Sequence, residues 1–379
     1  MTIDFDLIPS PCFLLDEKLF RKNLKTLKFI EQESAISLIL AFKGFAMWPV
    51  FSIYKEFFDC AAASSLNEAR LCYEHMGETA HTYSPAFKKE EFPDIIKFSK
   101  YISFNSLKQY EEFYPLIKAL KPDCETGLRV NPEYSDVKTD IYNPAQPGSR
   151  LGVAAAQMPE KLPEGISGLH FHTLCESDSY SLEKTLNVFE KKFGHLLNQV
   201  KWVNMGGGHL ITHEKYNHHH LIKLLKNFKS KHHVDIILEP GAAFAWNTGY
   251  LVSTVLDIVE NNGIKTAMLD VSFTAHMPDT LEMPYKPNII GAQAEVPGKH
   301  LYRMGGNSCL SGDYKGNWSF DNPLVPGDKI IFEDMMHYTM VKTTHFNGVP
   351  HPSIGMWTID NEFKLFRKYD YEDYKSSLS

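Results

Sequence analysis

The chain has 379 residues, 43% of them hydrophobic and 22% charged, with a formal net charge of −7 at pH 7. That length allows two domains, a large barrel and a smaller partner, and an acidic balance without long runs of one sign carries no nucleic-acid footprint. No apolar stretch reaches the ~18 residues of a membrane span, and Met-Thr-Ile-Asp-Phe-Asp at the start lacks the basic-then-apolar pattern of a secretory signal.

Residues 10–15 read as a short strand, and Asp16 can cap a helix over 17–29 with apolar positions at Phe20, Leu24, Leu27 and Phe29. Residues 37–44, Ser-Leu-Ile-Leu-Ala-Phe-Lys43-Gly44, then form an apolar run that ends on a lysine. Such a run reads as a strand buried on both faces. Its lysine is either solvated or held in a partly dry pocket, where it can react as a nucleophile. Helical and strand patterns alternate from there. Strands are expected at 58–63, 82–84, 101–105, 125–131, 166–172, 200–205 and 235–241. Helices are expected at 46–57, 65–75, 89–99, 107–119, 180–196 and 217–229. A Pro-rich stretch, 132–164, interrupts the rhythm as a long loop, and loops of that length are functional or disordered.

Counted from the lysine strand, there are eight strands separated by helical segments. That alternation implies parallel strands, and eight units imply a (β/α)8 barrel over 16–241. Lys43, Asp59, Arg129, His172, the Gly206-Gly207-Gly208 turn and Glu239 then fall at strand ends, where barrels carry their chemistry. After 241 the runs become short and β-rich, at 250–259, 265–271, 289–294 and 329–332, with helical hints only at 279–283 and 364–376. Residues 242–379 are expected to form a β domain, joined by the strand at 10–15.

Three glycines after strand seven let backbone N–H groups approach an anion, or simply make a flexible turn. Glu239-Pro240-Gly241 puts a carboxylate at the barrel mouth, to bind metal, act as a base or hold a cationic ring nitrogen, unless it only ends the strand. His170 and His172 share one strand face, but no third ligand of convincing spacing accompanies them, so no metal site is expected. The run His218-His219-His220 fans around a helix and reads as solvated surface. The cysteines, at 12, 60, 72, 124, 175 and 309, form no Cys-x-x-Cys pair and fit a reduced cytoplasmic protein. Cys309 lies among small residues in Gly306-Asn307-Ser308-Cys309-Leu310-Ser311-Gly312-Asp313, as either an accessible thiol or a buried one.

Taken in order, Ser10-Pro11-Cys12, Ala41-Phe42-Lys43, Asp59-Cys60-Ala61, Leu128-Arg129-Val130, Phe171-His172, Gly206-Gly207-Gly208, Glu239-Pro240-Gly241, the Cys309 loop and His337-Tyr338-Thr339 resemble the fold-type III decarboxylases that use pyridoxal phosphate. Within that family, Leu169 to Glu176, Asp270 to Asp279 and Gly306 to Asp313 look most like the branch acting on carboxynorspermidine or carboxyspermidine. The resemblance implies a homodimer with shared active sites, in the polyamine pathway.

It also implies roles. Lys43 would hold the cofactor covalently, His172 would stack on its ring, and Glu239 would face the ring nitrogen. Gly206, Gly207, Gly208, Gly241 and Tyr338 would surround the phosphate, with Asp59 and Arg129 supporting Lys43 and the ring. Cys309 and Asp313 would come from the partner subunit, the thiol near the carbon that is reprotonated and the acid near a distal amine. His276, Asp279 and Glu282, in the segment 270–285, would border the substrate's far end, unless these acids only solvate a loop. That segment has no arginine, which argues against a substrate ending in a carboxylate. Two positions depart from the ornithine branch: Leu174-Cys175 replace its Gly-Ser, and Ala242 replaces an arginine. Ornithine, arginine or diaminopimelate decarboxylation, an amino-acid racemase and a non-catalytic cofactor-binding homologue are the competing readings. The racemase would need a tyrosine base in place of the Cys309 loop.

Overall fold

The computed structural model describes residues 3–283 and 285–379. The first two residues of the stretch read for a signal, and Pro284 of the 270–285 segment, lie outside them. Two compact units are present: Asn23–Phe244, and Met1–Lys22 together with Ala245–Ser379.

The first unit is a closed parallel barrel. The lysine strand is split at Ile39 into Ser37–Leu38 and Leu40–Ala41. The first half pairs with Asp235–Leu238 and the second with Ala61–Ala63, so one strand closes the circle from both sides. Ile39 N–H donates to Leu238 O at 3.0 Å and Ala41 N–H to Pro240 O at 3.2 Å across the same seam. Between these ends run Ala80–Tyr83, Ser99–Phe104, Glu125–Asn131, Ile166–His170 and Trp202–Asn204, parallel throughout.

Side-chain caps set where the barrel helices begin. Ser65 starts Leu66–Met76, Ser106 starts Leu107–Leu120, Asp178 starts Ser179–Phe193 and Asn217 starts His218–His232. Each accepts a backbone N–H of the first turn, which would otherwise have no partner. The helix expected over 46–57 is instead a 3-10 turn, Trp48–Val50, and one α turn, Phe51–Tyr54. No side chain caps either piece, so nothing extends them. The histidine run is less solvated than expected: His218 Nε2 meets Ile211 O at 2.6 Å and His220 Nδ1 meets Ser179 Oγ at 2.9 Å.

A tryptophan fills the barrel interior. Trp202 packs with Ile39, Ala41, Ala62 and Ile237. A methyl on Gly127 or Gly168 would lie 2.2 or 2.0 Å from its indole, so two neighbouring strands carry glycine because the ring occupies that volume. The indole N–H donates to Glu125 Oε2 at 3.0 Å, which satisfies its polar edge.

The second unit is a mixed sheet in the order Ala292–Gln293, Tyr314–Phe320, His300–Gly305, Ile264–Leu269, Gly249–Asn261, Cys12–Asp16, Ser353–Trp357 and Phe363–Arg367, with Lys329–Glu333 also paired to Gly249–Asn261. The N-terminal strand lies between Gly249–Asn261 and Ser353–Trp357. Sequence pattern missed His300–Gly305, Tyr314–Phe320 and Ser353–Trp357. It also read 364–376 as helix, whereas Phe363–Arg367 is a strand and the helix is only Tyr371–Ser376, started by a capping box at Asp370. The strand expected at 289–294 reduces to Ala292–Gln293 and a bridge from Ile289 to Phe332.

Candidate active site

Lys43 leaves the barrel seam at a tight turn in which Gly44 N–H donates to Ala41 O at 2.9 Å. Its Nζ lies 3.3 Å from Nε2 of His172, and the other ring nitrogen, Nδ1, accepts Gly207 N–H at 2.9 Å. An Nδ1 that accepts leaves the neutral ring's proton on Nε2. The contact with Lys43 is then a hydrogen bond only when the amine is unprotonated. The surroundings favour that form: Lys43 reaches cavity solvent, but barrel atoms crowd it and its pKa is lowered, first by desolvation and then by Arg129. Burial, with Lys43 and Arg129 nearby, also holds His172 well below the usual histidine range.

Glu239 ends the last barrel strand. Asn204 Nδ2 donates to its Oε1 at 2.6 Å, and Asn204 Oδ1 accepts Gly206 N–H at 2.8 Å, which fixes the amide's orientation. His170 Nε2 lies 3.7 Å from Oε2. Burial pushes the Glu239 carboxyl up, while the Asn204 bond, Lys43 and Arg129 pull it back. Buried Arg129 donates to His172 O at 3.2 Å, and its guanidinium sits 4.6 Å from the Tyr83 ring centroid.

The glycine turn does more than leave room for an anion. The N–H groups of Gly206 and Gly207 are bonded to Asn204 and His172, so the turn orients the two side chains beside the site. A methyl on Gly207 would lie 2.3 Å from Glu239 O, and one on Gly208, at φ +86°, 2.1 Å from Leu174 O. Gly241 and Gly44 meet backbone to backbone, a methyl on Gly44 falling 2.8 Å from Gly241 Cα. A cavity of about 630 Å3 is lined among others by Lys43, Arg129, Asp140, Arg150, His172 and Glu239.

Asp59 requires a correction. It is exposed and precedes the Ala61–Ala63 strand. In a parallel barrel that places it at the end opposite Lys43, which follows its own strand. The acid beside Lys43 is Glu68, and the two groups act on each other electrostatically. Glu68 Oε2 accepts Ser64 N–H at 2.6 Å while its own N–H donates to Ser65 Oγ at 3.2 Å. Ser65-x-x-Glu68 is a capping-box pattern visible in the sequence.

In the second unit, Cys309 is an exposed thiol whose N–H donates to Asn347 Oδ1 at 2.8 Å. Asp313 is corrected: it is buried, with Oδ1 accepting Thr274 N–H and Oδ2 accepting Ser308 N–H, both at 3.0 Å. It therefore holds the Cys309 loop from inside rather than presenting an acid to an amine. His276 is also enclosed, its Nδ1 accepting Ser272 N–H at 3.2 Å, and burial drops its pKa to about 3. Asp279 Oδ2 receives the hydroxyls of Tyr285 and Thr339 at 2.8 Å each. Glu282 pairs with Lys342. None of these three presents an uncommitted surface charge of the kind expected beside a substrate. Tyr338 is half-buried on a left-handed backbone, φ 47°.

A lysine, an imidazole and a carboxylate around one cavity are groups pyridoxal phosphate needs: an amine for its aldehyde, a flat partner for its ring and an anion for its ring nitrogen. The fold and this donor set define a fold-type III pyridoxal-phosphate enzyme. The family described as "Pyridoxal-dependent decarboxylase, C-terminal sheet domain" matches residues 51–336, and the chain belongs to it. A carboxyaminopropylagmatine decarboxylase of Synechocystis sp. is 50% identical over 372 residues, covering 98% of this chain and 96% of that one. A carboxynorspermidine/carboxyspermidine decarboxylase of Campylobacter jejuni is 40% identical, covering 98% of each. The crystal structure of carboxynorspermidine decarboxylase from Campylobacter jejuni complexed with norspermidine superposes with TM-score 0.91 at 40% identity, over 98% of this chain and 100% of that one. Among the described residues no helix is long and apolar enough to cross a membrane.

Proposed function

We propose that the protein removes the carboxylate of carboxynorspermidine or carboxyspermidine, releasing norspermidine or spermidine in polyamine synthesis. The observation that carries this reading is the full-length likeness to the norspermidine complex, on a chain that retains Lys43, His172 and Glu239 around one cavity. Bound pyridoxal phosphate supplies a sink for the electron pair left on Cα when carbon dioxide departs. Lys43 would anchor the cofactor through its unprotonated amine. His172, fixed by Gly207, would pack on the ring. Glu239, held by Asn204, would keep the ring nitrogen protonated. Gly208, Gly241 and Tyr338 are assigned to the phosphate by resemblance. Cys309, lent by a second copy of the chain, delivers the proton to Cα.

The Synechocystis relative supports a second reading, carboxyaminopropylagmatine as substrate. Carbon-dioxide release measured on carboxynorspermidine, carboxyspermidine, carboxyaminopropylagmatine, ornithine, arginine and diaminopimelate decides. The expected result is kcat/KM at least tenfold higher for one of the first two than for the last three, because a cationic chain end left without its partner in a mostly dry site is strongly disfavoured. Highest efficiency on carboxyaminopropylagmatine selects the second reading, and highest efficiency on diaminopimelate overturns both.

A further inference from the structure

Two guanidinium groups, Arg129 and Arg150, line the cavity beside the amine of Lys43, against two carboxylates, Glu239 and Asp140. Glu239 is committed to Asn204 and stands beside His170. Asp140 is exposed, and among the described residues its carboxylate makes no hydrogen bond or ion pair. It opens the 3-10 turn Asp140–Tyr142 in the stretch between Asn131 and Val153.

That stretch is held in place. Glu133 pairs with Lys192 at 2.7 Å and Asp136 with Lys184 at 3.1 Å, tying its start to the helix Ser179–Phe193. Asn143 Nδ2 donates to Val137 O at 3.3 Å, and its Oδ1 accepts Ala145 N–H at 3.0 Å. Asn105 secures the far end, donating to Arg150 O at 2.8 Å and accepting Gly152 N–H at 2.7 Å. Of the three acids in this stretch, Glu133 and Asp136 are spent on lysines, and Asp140 alone remains on a cavity wall.

We propose that Asp140 is the specificity-determining residue that receives the cationic far end of the substrate. The inference rests on the polyamine reading above. A carboxylated polyamine carries two ammonium groups beyond its α-amino group, and Arg129 and Arg150 repel both. Asp140, on the same cavity lining, offsets that repulsion. A substrate whose side chain ends in a carboxylate meets repulsion at Asp140 instead. The contact forms alike in the ground state and the transition state, so its loss raises KM rather than lowering kcat. Losing one charge-assisted contact to the substrate corresponds to roughly a 10-fold change in affinity.

The test uses holoenzyme carrying Asp140→Asn, Asp140→Glu or, as a control with the same charge change outside the cavity lining, Glu160→Gln. Norspermidine binding is measured by calorimetry, and kcat and KM by carbon-dioxide release from carboxynorspermidine. Asp140→Asn should weaken norspermidine at least tenfold and raise KM in parallel, with kcat within about threefold and the cofactor's absorbance unchanged. Asp140→Glu should recover most of the loss, and Glu160→Gln should match the parent. Norspermidine affinity unchanged in Asp140→Asn overturns the assignment even if the enzyme is active. A parent enzyme that binds norspermidine but decarboxylates none of the carboxylated polyamines overturns the functional reading instead, and one that binds no norspermidine overturns both.

Discussion

Asn204 Nδ2 donates to Glu239 Oε1 at 2.6 Å, while the same amide's oxygen takes the N–H of Gly206. One side chain thus sets both the position of the carboxylate and the start of the glycine turn. Because the bond is made to the ionised carboxylate, it lowers a pKa that burial raises. Asn204→Ala removes that opposition, so Glu239 takes up its proton at higher pH than in the parent. Turnover near pH 7 should fall roughly 10- to 100-fold, a loss of about 1.4–2.7 kcal/mol, and should recover in part as pH rises. Glu239→Gln, which cannot titrate, should lose on the order of 100-fold or more with no recovery. Matching pH profiles for Asn204→Ala and the parent would show that the bond does not tune the carboxylate.

The exchange of Asp59 for Glu68 gives a second test. Glu68 opposes the desolvation that lowers the pKa of Lys43, and it also accepts Ser64 N–H in the first turn of its helix. Glu68→Gln should therefore leave Lys43 with a still lower pKa, move the acid limb of the kcat/KM profile to lower pH, and cost about 1 kcal/mol of stability through the weakened cap. Asp59→Asn, at the other end of the barrel, should leave kcat and KM within about twofold. A shift of that limb in Asp59→Asn as large as that in Glu68→Gln would refute this placement.

Those two acids also mark how far the sequence could be read. The barrel was legible because strand and helix patterns alternate with a fixed sense, and a strand-end rule then located Lys43, Arg129, His172 and Glu239. Asp59 misled because it belongs to the polar entry of a strand whose regular part is only Ala61–Ala63. Asp313 misled because spacing places a residue in a loop without saying whether its carboxylate faces solvent or the loop's own amides. In the sheet unit, Phe363–Arg367 carries a bulge instead of strict alternation, so its pattern runs into that of the helix that follows. The support given by Asn204 had no signal in its neighbours, since only the pairing of Trp202–Asn204 with Asp235–Leu238 brings it beside Glu239.

Buried histidines set an acid limit on stability. Burial drops His209 to about 4 and His276 to about 3, and holds His170 and His172 well below 6.5. These folded values are depressed, so below pH 6.5 the unfolded chain binds protons that the native state refuses. The stability is present in full above 6.5 and is lost as pH falls toward the folded values, at about 1.4 kcal/mol per pH unit for each group. Cofactor-free protein should melt at progressively lower temperature from pH 7 to pH 5. His209→Gln should flatten that slope by about one group's share. A melting temperature constant across this range would contradict neutral, buried imidazoles.

The proposal that active sites are shared between two copies of the chain gives the sharpest prediction about assembly. Lys43 belongs to the barrel unit and Cys309 to the sheet unit, and the proposed reaction needs both at one Cα. Lys43→Ala cannot anchor the cofactor, and Cys309→Ala cannot return the proton, so each homodimer should be nearly inactive. In a two-fold dimer that exchanges this loop, a mixed dimer has one site with both residues missing and one with both present. Mixing the two inactive proteins in equal amounts makes half of the dimers mixed if exchange is random. Activity should then rise to roughly a quarter of the parent's, and a mass measurement of the mixed species checks that exchange occurred. If exchange is complete and activity does not return, each site takes its lysine and its thiol from one chain.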